Sequence, residues 1–283
     1  MEFDLSKPQK LLQQSARELF ARSCPHTRVR ELMATSTGLD EGLWQEVADQ
    51  GWLGLHLDES AGGLGLGAVE LAVVAEEMGR ACYPGPFLGT VWAATLIAEA
   101  GAKNAHLEPL TAGEAKGAVA LLEPESSWKL SDVQLKATAS GSGYKLTGRK
   151  SFVLDAPTAD LFVVVTQTGD GLALLAVPTK SKGVNVTALA GLDATRKLGD
   201  VQFEGVEVGA GNVLAIGSAA QTALAKSLDI ATLCAAADML GGMQWILEDS
   251  VEYAKTRQQF AKVIGSFQAV QHMCADMLLL TES

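Results

Sequence analysis

The sequence predicts a multidomain α+β protein. It should have an N-terminal helical domain over residues 1–116, a middle β-barrel or sandwich over 117–216, and a C-terminal helical bundle over 217–283 that is incomplete in this chain. Three observations predict this. The hydrophobic period is helical to about residue 115, gives way to short β-branched runs separated by glycine turns to about 215, and becomes helical again from about 218. Elements of one type run together before the other type begins, which signals separate domains rather than alternating βαβ units. The 283 residues suffice for two or three cores.

The elements follow in order. Val69–Arg80 sets an apolar face against carboxylates at helical period, and Gly79 near its end reads as a helix stop. A second apolar helix is expected from Thr90 to Ala100, closed by Gly101. In the middle zone, Gly141-Ser142-Gly143 joins two strands as a hairpin. Thr168-Gly169-Asp170-Gly171 separates the apolar runs Leu161–Val165 and Leu172–Val177. Val201–Val208 alternates in polarity as a further strand. Ala219–Met239 reads as a fully buried helix, and helical signals continue through Gln244–Lys255. A last helix from Ser266 carries Phe267, Val270, Cys274, Met277 and Leu278 on one side. Its final residues lack a Gly or Pro stop, so the chain is expected to end inside it.

Composition excludes several classes. Hydrophobic residues make up 48% and charged residues 19%, an ordinary folded balance. The net charge of -11, from 33 acidic and 22 basic residues, argues against a nucleic-acid binder. It leaves room for an anionic ligand held by a few arginines or backbone N–H groups. Cys24, Cys82, Cys234 and Cys274 lack metal-ligand spacing and read as buried free thiols. The start Met1-Glu2-Phe3-Asp4 has no signal-peptide pattern, and no uninterrupted apolar run reaches the ~18 residues of a membrane span. A cytoplasmic protein without a membrane span is expected.

Three segments carry a family resemblance. The first is Glu59-Ser60-Ala61-Gly62-Gly63-Leu64-Gly65, followed by Val74-Ala75-Glu76-Glu77-Met78-Gly79-Arg80. The second comprises Leu122-Glu123-Pro124, Leu146-Thr147-Gly148-Arg149-Lys150 and Ala159-Asp160 before an apolar strand. The third comprises Tyr253, Arg257-Gln258-Gln259-Phe260, Ile264-Gly265, Phe267-Gln268 and Ala275-Asp276-Met277. Together they resemble the acyl-CoA dehydrogenase family. Gly79–Pro84 and Gly148–Val153 look closer to its bacterial, steroid-degrading branches, which include two-gene heteromeric enzymes.

The resemblance implies FAD between the β domain and the bundle, an acyl-CoA substrate, electron-transfer flavoprotein as acceptor, and a homodimer, tetramer or heterotetramer. The chemistry implied is α,β-dehydrogenation. A carboxylate removes the α-proton, a hydride leaves the β-carbon for flavin N5, and donors stabilise the enolate-like oxygen.

By the same resemblance, Arg257 matches an arginine on the FAD pyrophosphate, a role that suits a guanidinium fork. A surface ion pair with Glu248 or Glu252 is the alternative. Phe260 would pack on the flavin or adenine region, or else in the core. Gln268 matches a FAD-contacting position, or else is a solvent-facing helix glutamine. His272, four residues on, has no partners for a metal, and no metal site is expected.

Departures from the family pattern are also legible. Phe152-Val153-Leu154 stands where many relatives have Trp-Ile-Thr/Ser. Phe152 could still lie on the isoalloxazine, but Leu154 has no hydroxyl for flavin N5. Leu122 replaces a threonine, and Glu125–Lys129 replaces a Gly-rich loop, leaving flavin contacts there to the backbone. Ala231 occupies the position of one family base, and Asp229 points elsewhere on a helix. No catalytic residue is therefore assigned. Three readings stay open: an active dehydrogenase, a non-catalytic or half-site partner subunit, and a flavin monooxygenase or oxidase on the same fold.

Overall fold

The computed structural model describes residues 4–101, 104–125, 129 and 132–283. The residues Met1–Phe3 read for a signal sequence, and Ser126–Trp128 of the replaced loop, lie outside the described residues.

Six helices come first: α1 (Lys7–Ser23), α2 (His26–Met33), α3 (Glu41–Asp49), α4 (Ala68–Arg80), α5 (Phe87–Glu99) and α6 (Leu107–Thr111). Local chemistry sets their starts. Ser6 and Gln9 form a reciprocal capping box on α1, and the Asp40 carboxylate accepts from Gly42 N and Leu43 N at α3. Eight strands follow: β1 (Gly117–Ala120), β2 (Ala137–Ser140), β3 (Gly143–Leu154), β4 (Leu161–Thr168), β5 (Gly171–Pro178), β6 (Val184–Leu189), β7 (Leu198–Val208) and β8 (Val213–Ile216). The chain closes with α7 (Ser218–Thr256), the hairpin β9 (Gln258–Gln259) and β10 (Lys262–Val263), and α8 (Gln268–Glu282).

By their contacts the residues form two compact units. One comprises His26–Leu71 and Pro84–Leu233; the other comprises Met1–Pro25, Ala72–Tyr83 and Cys234–Ser283.

The first unit holds two four-stranded sheets, in orders β1-β4-β5-β8 and β2-β3-β7-β6, so the middle zone is a sandwich and no closed barrel forms. Within the first sheet β1 and β4 pair in parallel, and β4–β5 and β5–β8 are antiparallel. Phe162, Val164, Leu175 and Val177 of that sheet meet Leu146, Val201, Phe203 and Val206 of the other. The opposite face of the first sheet, with Val163, Val165, Leu174 and Ala176, packs on Ala93, Ala94, Leu96 and Ile97 of α5 and on Ala220, Ala223 and Leu224 of α7. A sheet covered on both faces needs unbroken apolar runs, which is why Leu161–Val165 and Leu172–Val177 show no alternation. Each such buried Val, Leu or Phe contributes about 1.5–3 kcal/mol relative to exposure. β7, covered on one face, alternates as expected.

The second unit is helical apart from the β9–β10 hairpin. Here the Glu-Glu-x-Gly-Arg stretch shows its structural use. Buried Glu77 accepts two bonds from Arg17, at 2.9 and 2.6 Å, which ties α4 to α1. Arg80 pairs with Glu248 of α7. Gly79 is no helix stop: a Cβ there would lie 1.8 Å from the Asp238 carbonyl oxygen, so its role is close approach of α4 and α7.

α7 corrects two further expectations. Ala219–Met239 is not fully buried, since Gln221, Asp229, Thr232 and Met239 are exposed while Ala220, Leu224, Ala231 and Cys234 are covered. The cause is a one-sided contact, which an Ala- and Leu-rich composition conceals. The helix is also long and apolar enough, at a mean hydropathy of 1.4 over 18 residues, to cross a membrane by length and composition alone. Counting unbroken apolar runs misses this because polar residues interrupt the run while the average over 18 residues stays high. The structure links none of the four cysteines by a disulfide; Cys24 and Cys234 are buried, whereas Cys82 and Cys274 are only partly covered.

Candidate functional site

In the first unit the site residues gather where the loop after β1 meets β3. The β3–β7 ladder is broken between Lys150 and Val153. Lys150 pairs with Val201 and Val153 with Gly199, so Ser151 and Phe152 together oppose Asp200. Two residues against one is a β-bulge, which redirects a side chain. Phe152 sits at φ 54, in the left-handed region, and is 57% exposed. Leu154, at the strand end, is half-buried, as is Leu122 on the loop.

Glu123 and Lys150 hold this junction. Lys150 is fully buried, and its Nζ donates to Leu121 O at 2.8 Å and to Glu123 Oε1 at 2.7 Å. Ser151 N donates to Leu122 O at 2.8 Å. The Glu123 carboxylate also accepts from Gln134 N and from Leu135 N, the latter at 2.9 Å. Burial pushes the Lys150 ammonium down to about 8, with Glu123 pulling the other way. Burial raises the Glu123 carboxyl, but the Lys150 and backbone donors outweigh it and hold it below its ordinary value. Across the bulge, burial raises the Asp200 carboxyl; Ser151, Arg149 and the Phe152 amide more than reverse this.

Asp155 ends the segment at φ 59, buried, accepting from Gly89 N of α5 at 3.2 Å. Burial pushes its carboxyl up to about 7, against Arg196 and the Gly89 amide.

In the second unit, Arg257, Phe260 and Gln268 lie on the stretch from the end of α7 to the start of α8, and all three are exposed. Arg257 N donates to Tyr253 O at 2.9 Å and Ile264 N donates to Arg257 O at 2.8 Å, which folds the chain back. Phe260 and Ala261, at φ 54 and 60, make the two-residue turn of the β9–β10 hairpin. Phe260 is 88% exposed, which overturns a core role; its ring stands edge-on to Phe267, 6.1 Å between centroids. The ion-pair alternative for Arg257 also fails. Glu248 is taken by Arg80 and Glu252 by Lys255, and among the described residues the Arg257 guanidinium has no acidic partner. Gln268 and His272 are both exposed on α8. Ala231 is buried and Asp229 exposed, so neither offers a base in an apolar setting.

Sequence reasoning missed Lys150, Asp200 and Asp155. Lys150 and Glu123 were both visible as motif positions, but nothing in their spacing says that they touch.

Three family models match this succession of helices, sandwich and helices in turn. They are the acyl-CoA dehydrogenase N-terminal domain over residues 6–114, the middle domain over 118–206 and the C-terminal domain over 221–283. The chain belongs to the acyl-CoA dehydrogenase family, oxidoreductases acting on CH–CH bonds. Among its relatives is a probable acyl-CoA dehydrogenase, YngJ, of Bacillus subtilis, 29% identical over 99% of this chain and 77% of its own length. This chain spans less than two thirds of the length of several other curated relatives. The ChsE4-ChsE5 complex from Mycobacterium tuberculosis is similar at 30% identity and a TM-score of 0.87, covering 100% of this chain and 78% of that one. The FAD complex of PigA is similar at 25% identity and a TM-score of 0.87, covering 100% and 77%.

Proposed function

We propose that the chain takes part in FAD-dependent α,β-dehydrogenation of an acyl-CoA thioester. The observation that carries the reading is Arg257: an exposed guanidinium with no acidic partner among the described residues, three positions before the outward ring of Phe260. A free fork suits phosphate oxygens. FAD, when bound, supplies the two-electron acceptor that side chains lack. In the second unit, Arg257 would hold its pyrophosphate, Phe260 would pack on its flavin or adenine region, and Gln268 would contact it. In the first unit, Phe152, Leu122 and Leu154 would be the residues that meet the flavin. The residues fit the group: two outward aromatics held at positive φ and one free guanidinium are what a planar, phosphate-bearing ligand needs. The FAD complex of PigA supports FAD as the cofactor. Domains over 1–116, 117–216 and 217–283, a cytoplasmic setting, electron-transfer flavoprotein as acceptor and a homo-oligomeric or heterotetrameric assembly complete the proposal.

A second reading is a half-site or non-catalytic partner subunit. Leu154 in place of a hydroxyl residue, buried Ala231 and exposed Asp229 favour it, and the ChsE4-ChsE5 complex is a two-chain example in the family.

The visible spectrum, recorded before and after anaerobic addition of short, long and steroid-type acyl-CoA, tests both. A flavin band that one thioester bleaches establishes the dehydrogenase half-reaction. A flavin that no thioester reduces, or a colourless protein, moves the assignment to the partner subunit.

A further inference from the structure

We propose that Lys150 is a positioning residue for the flavin face: clamped between Glu123 and the Leu121 carbonyl, it locks the loop after β1 to the bulge in β3 and so fixes the outward setting of Phe152. This deepens the assignment of Phe152 above and rests on it.

Four observations carry the inference. First, Lys150 is an ammonium with no exposed surface, and burying a charge is unfavourable until its partners offset it. A well-packed apolar residue of similar volume is often as stable or more so, which points to a use other than stability. Second, its side-chain hydrogen bonds go to one short segment: Nζ donates to Leu121 O and Glu123 Oε1, and the adjacent Ser151 N donates to Leu122 O. Three consecutive loop residues are thus tied to two consecutive strand residues. Third, the β3–β7 ladder skips this place, so cross-strand pairing does not hold residue 152. Fourth, Phe152 keeps a left-handed backbone, which is strained for an L-residue. Such a conformation persists where its surroundings over-determine it, and it clusters at ligand sites. The Lys150 clamp on one side and Asp200 on the other are those surroundings. Lys150 has no exposed surface, so it acts on a ligand only through the residues it holds in place.

The test uses full-length protein labelled with fluorophenylalanine and stripped of FAD. The Phe152 fluorine signal is assigned from Phe152→Leu. Lys150→Met and Glu123→Gln are compared with Lys226→Met, which breaks an exposed pair with Glu99. FAD affinity of each is then read by titration. In Lys150→Met the Phe152 signal should shift or broaden while those of Phe20 and Phe87 hold, and FAD should bind at least about tenfold more weakly. Glu123→Gln should move the same signal less, and Lys226→Met should move nothing. If Lys150→Met does not fold, Glu123→Gln decides. An unmoved Phe152 signal in the folded variants overturns the proposal, even if FAD binding weakens. A Phe152 signal that moves in a protein whose wild type binds no FAD supports the clamp and removes the flavin assignment instead.

Discussion

Gly79 and Gly241 let α4 and α7 touch backbone to backbone. A Cβ on Gly79 would lie 1.8 Å from the Asp238 carbonyl oxygen, and one on Gly241 would lie 1.8 Å from that of Glu76. No side-chain rotation relieves a clash with backbone, so the helices must separate. Gly79→Ala or Gly241→Ala should each cost about 3 kcal/mol or more in urea unfolding. Gly242→Ala, whose Cβ would meet only the Gly79 carbonyl oxygen at 3.7 Å, is the control. It should be neutral or stabilising by up to about 1 kcal/mol through helix propensity.

Ala261 carries the opposite expectation. It occupies φ 60 in a two-residue hairpin turn, where glycine is free of the Cβ penalty. Ala261→Gly should raise stability by about 0.5–1 kcal/mol, the penalty relieved less the extra entropy of glycine in the unfolded chain. The thermal midpoint of the FAD-free protein checks this.

Arg257→Ala should lower FAD affinity about 10- to 100-fold, the worth of a lost charge-assisted contact, and leave the thermal midpoint of the FAD-free protein in place. Arg257→Lys should fall between, since an ammonium keeps the charge but not the fork. A drop in midpoint equal to that of a core variant would instead mark Arg257 as structural.

Asp155 gives a pH signature. Burial raises its carboxyl from 3.8 to about 7, so the folded state prefers the neutral acid. The sign follows from proton linkage. The folded form binds the extra proton between those two values, so stability is lost as pH rises through that window and the loss is complete above about 7. Asp155→Asn removes the charge and keeps an acceptor for Gly89 N. Its stability relative to wild type should therefore climb between about pH 4 and pH 7 and level off beyond. Urea midpoints taken across that range check it; a flat difference would refute it.

Much of the fold was legible because burial writes periodicity into a sequence. Val163 and Val165 face one core and Phe162 and Val164 the other, and only an unbroken apolar run can serve both faces. Glycine was less transparent. A glycine at a stop and a glycine at a helix crossing look alike in sequence, and Gly79 is the latter. Alanine misled in the same way: Ala220 is covered and Ala236 exposed in one apolar-looking stretch.

For the site, the sequence by itself determined the residue types: a guanidinium at Arg257, aromatics at Phe152 and Phe260, and motif positions at Glu123 and Lys150. These follow from chemistry that one residue carries alone. Only the tertiary structure decided which of them are free and which are spent. Among the described residues Arg257 has no acidic partner, because Arg80 and Lys255 take Glu248 and Glu252. Lys150 is consumed by a carboxylate 27 positions away. Phe152 faces outward because a bulge turns it there. Pairing and exposure are properties of distance in space, and along a chain that doubles back through a sandwich, separation in sequence carries no measure of them.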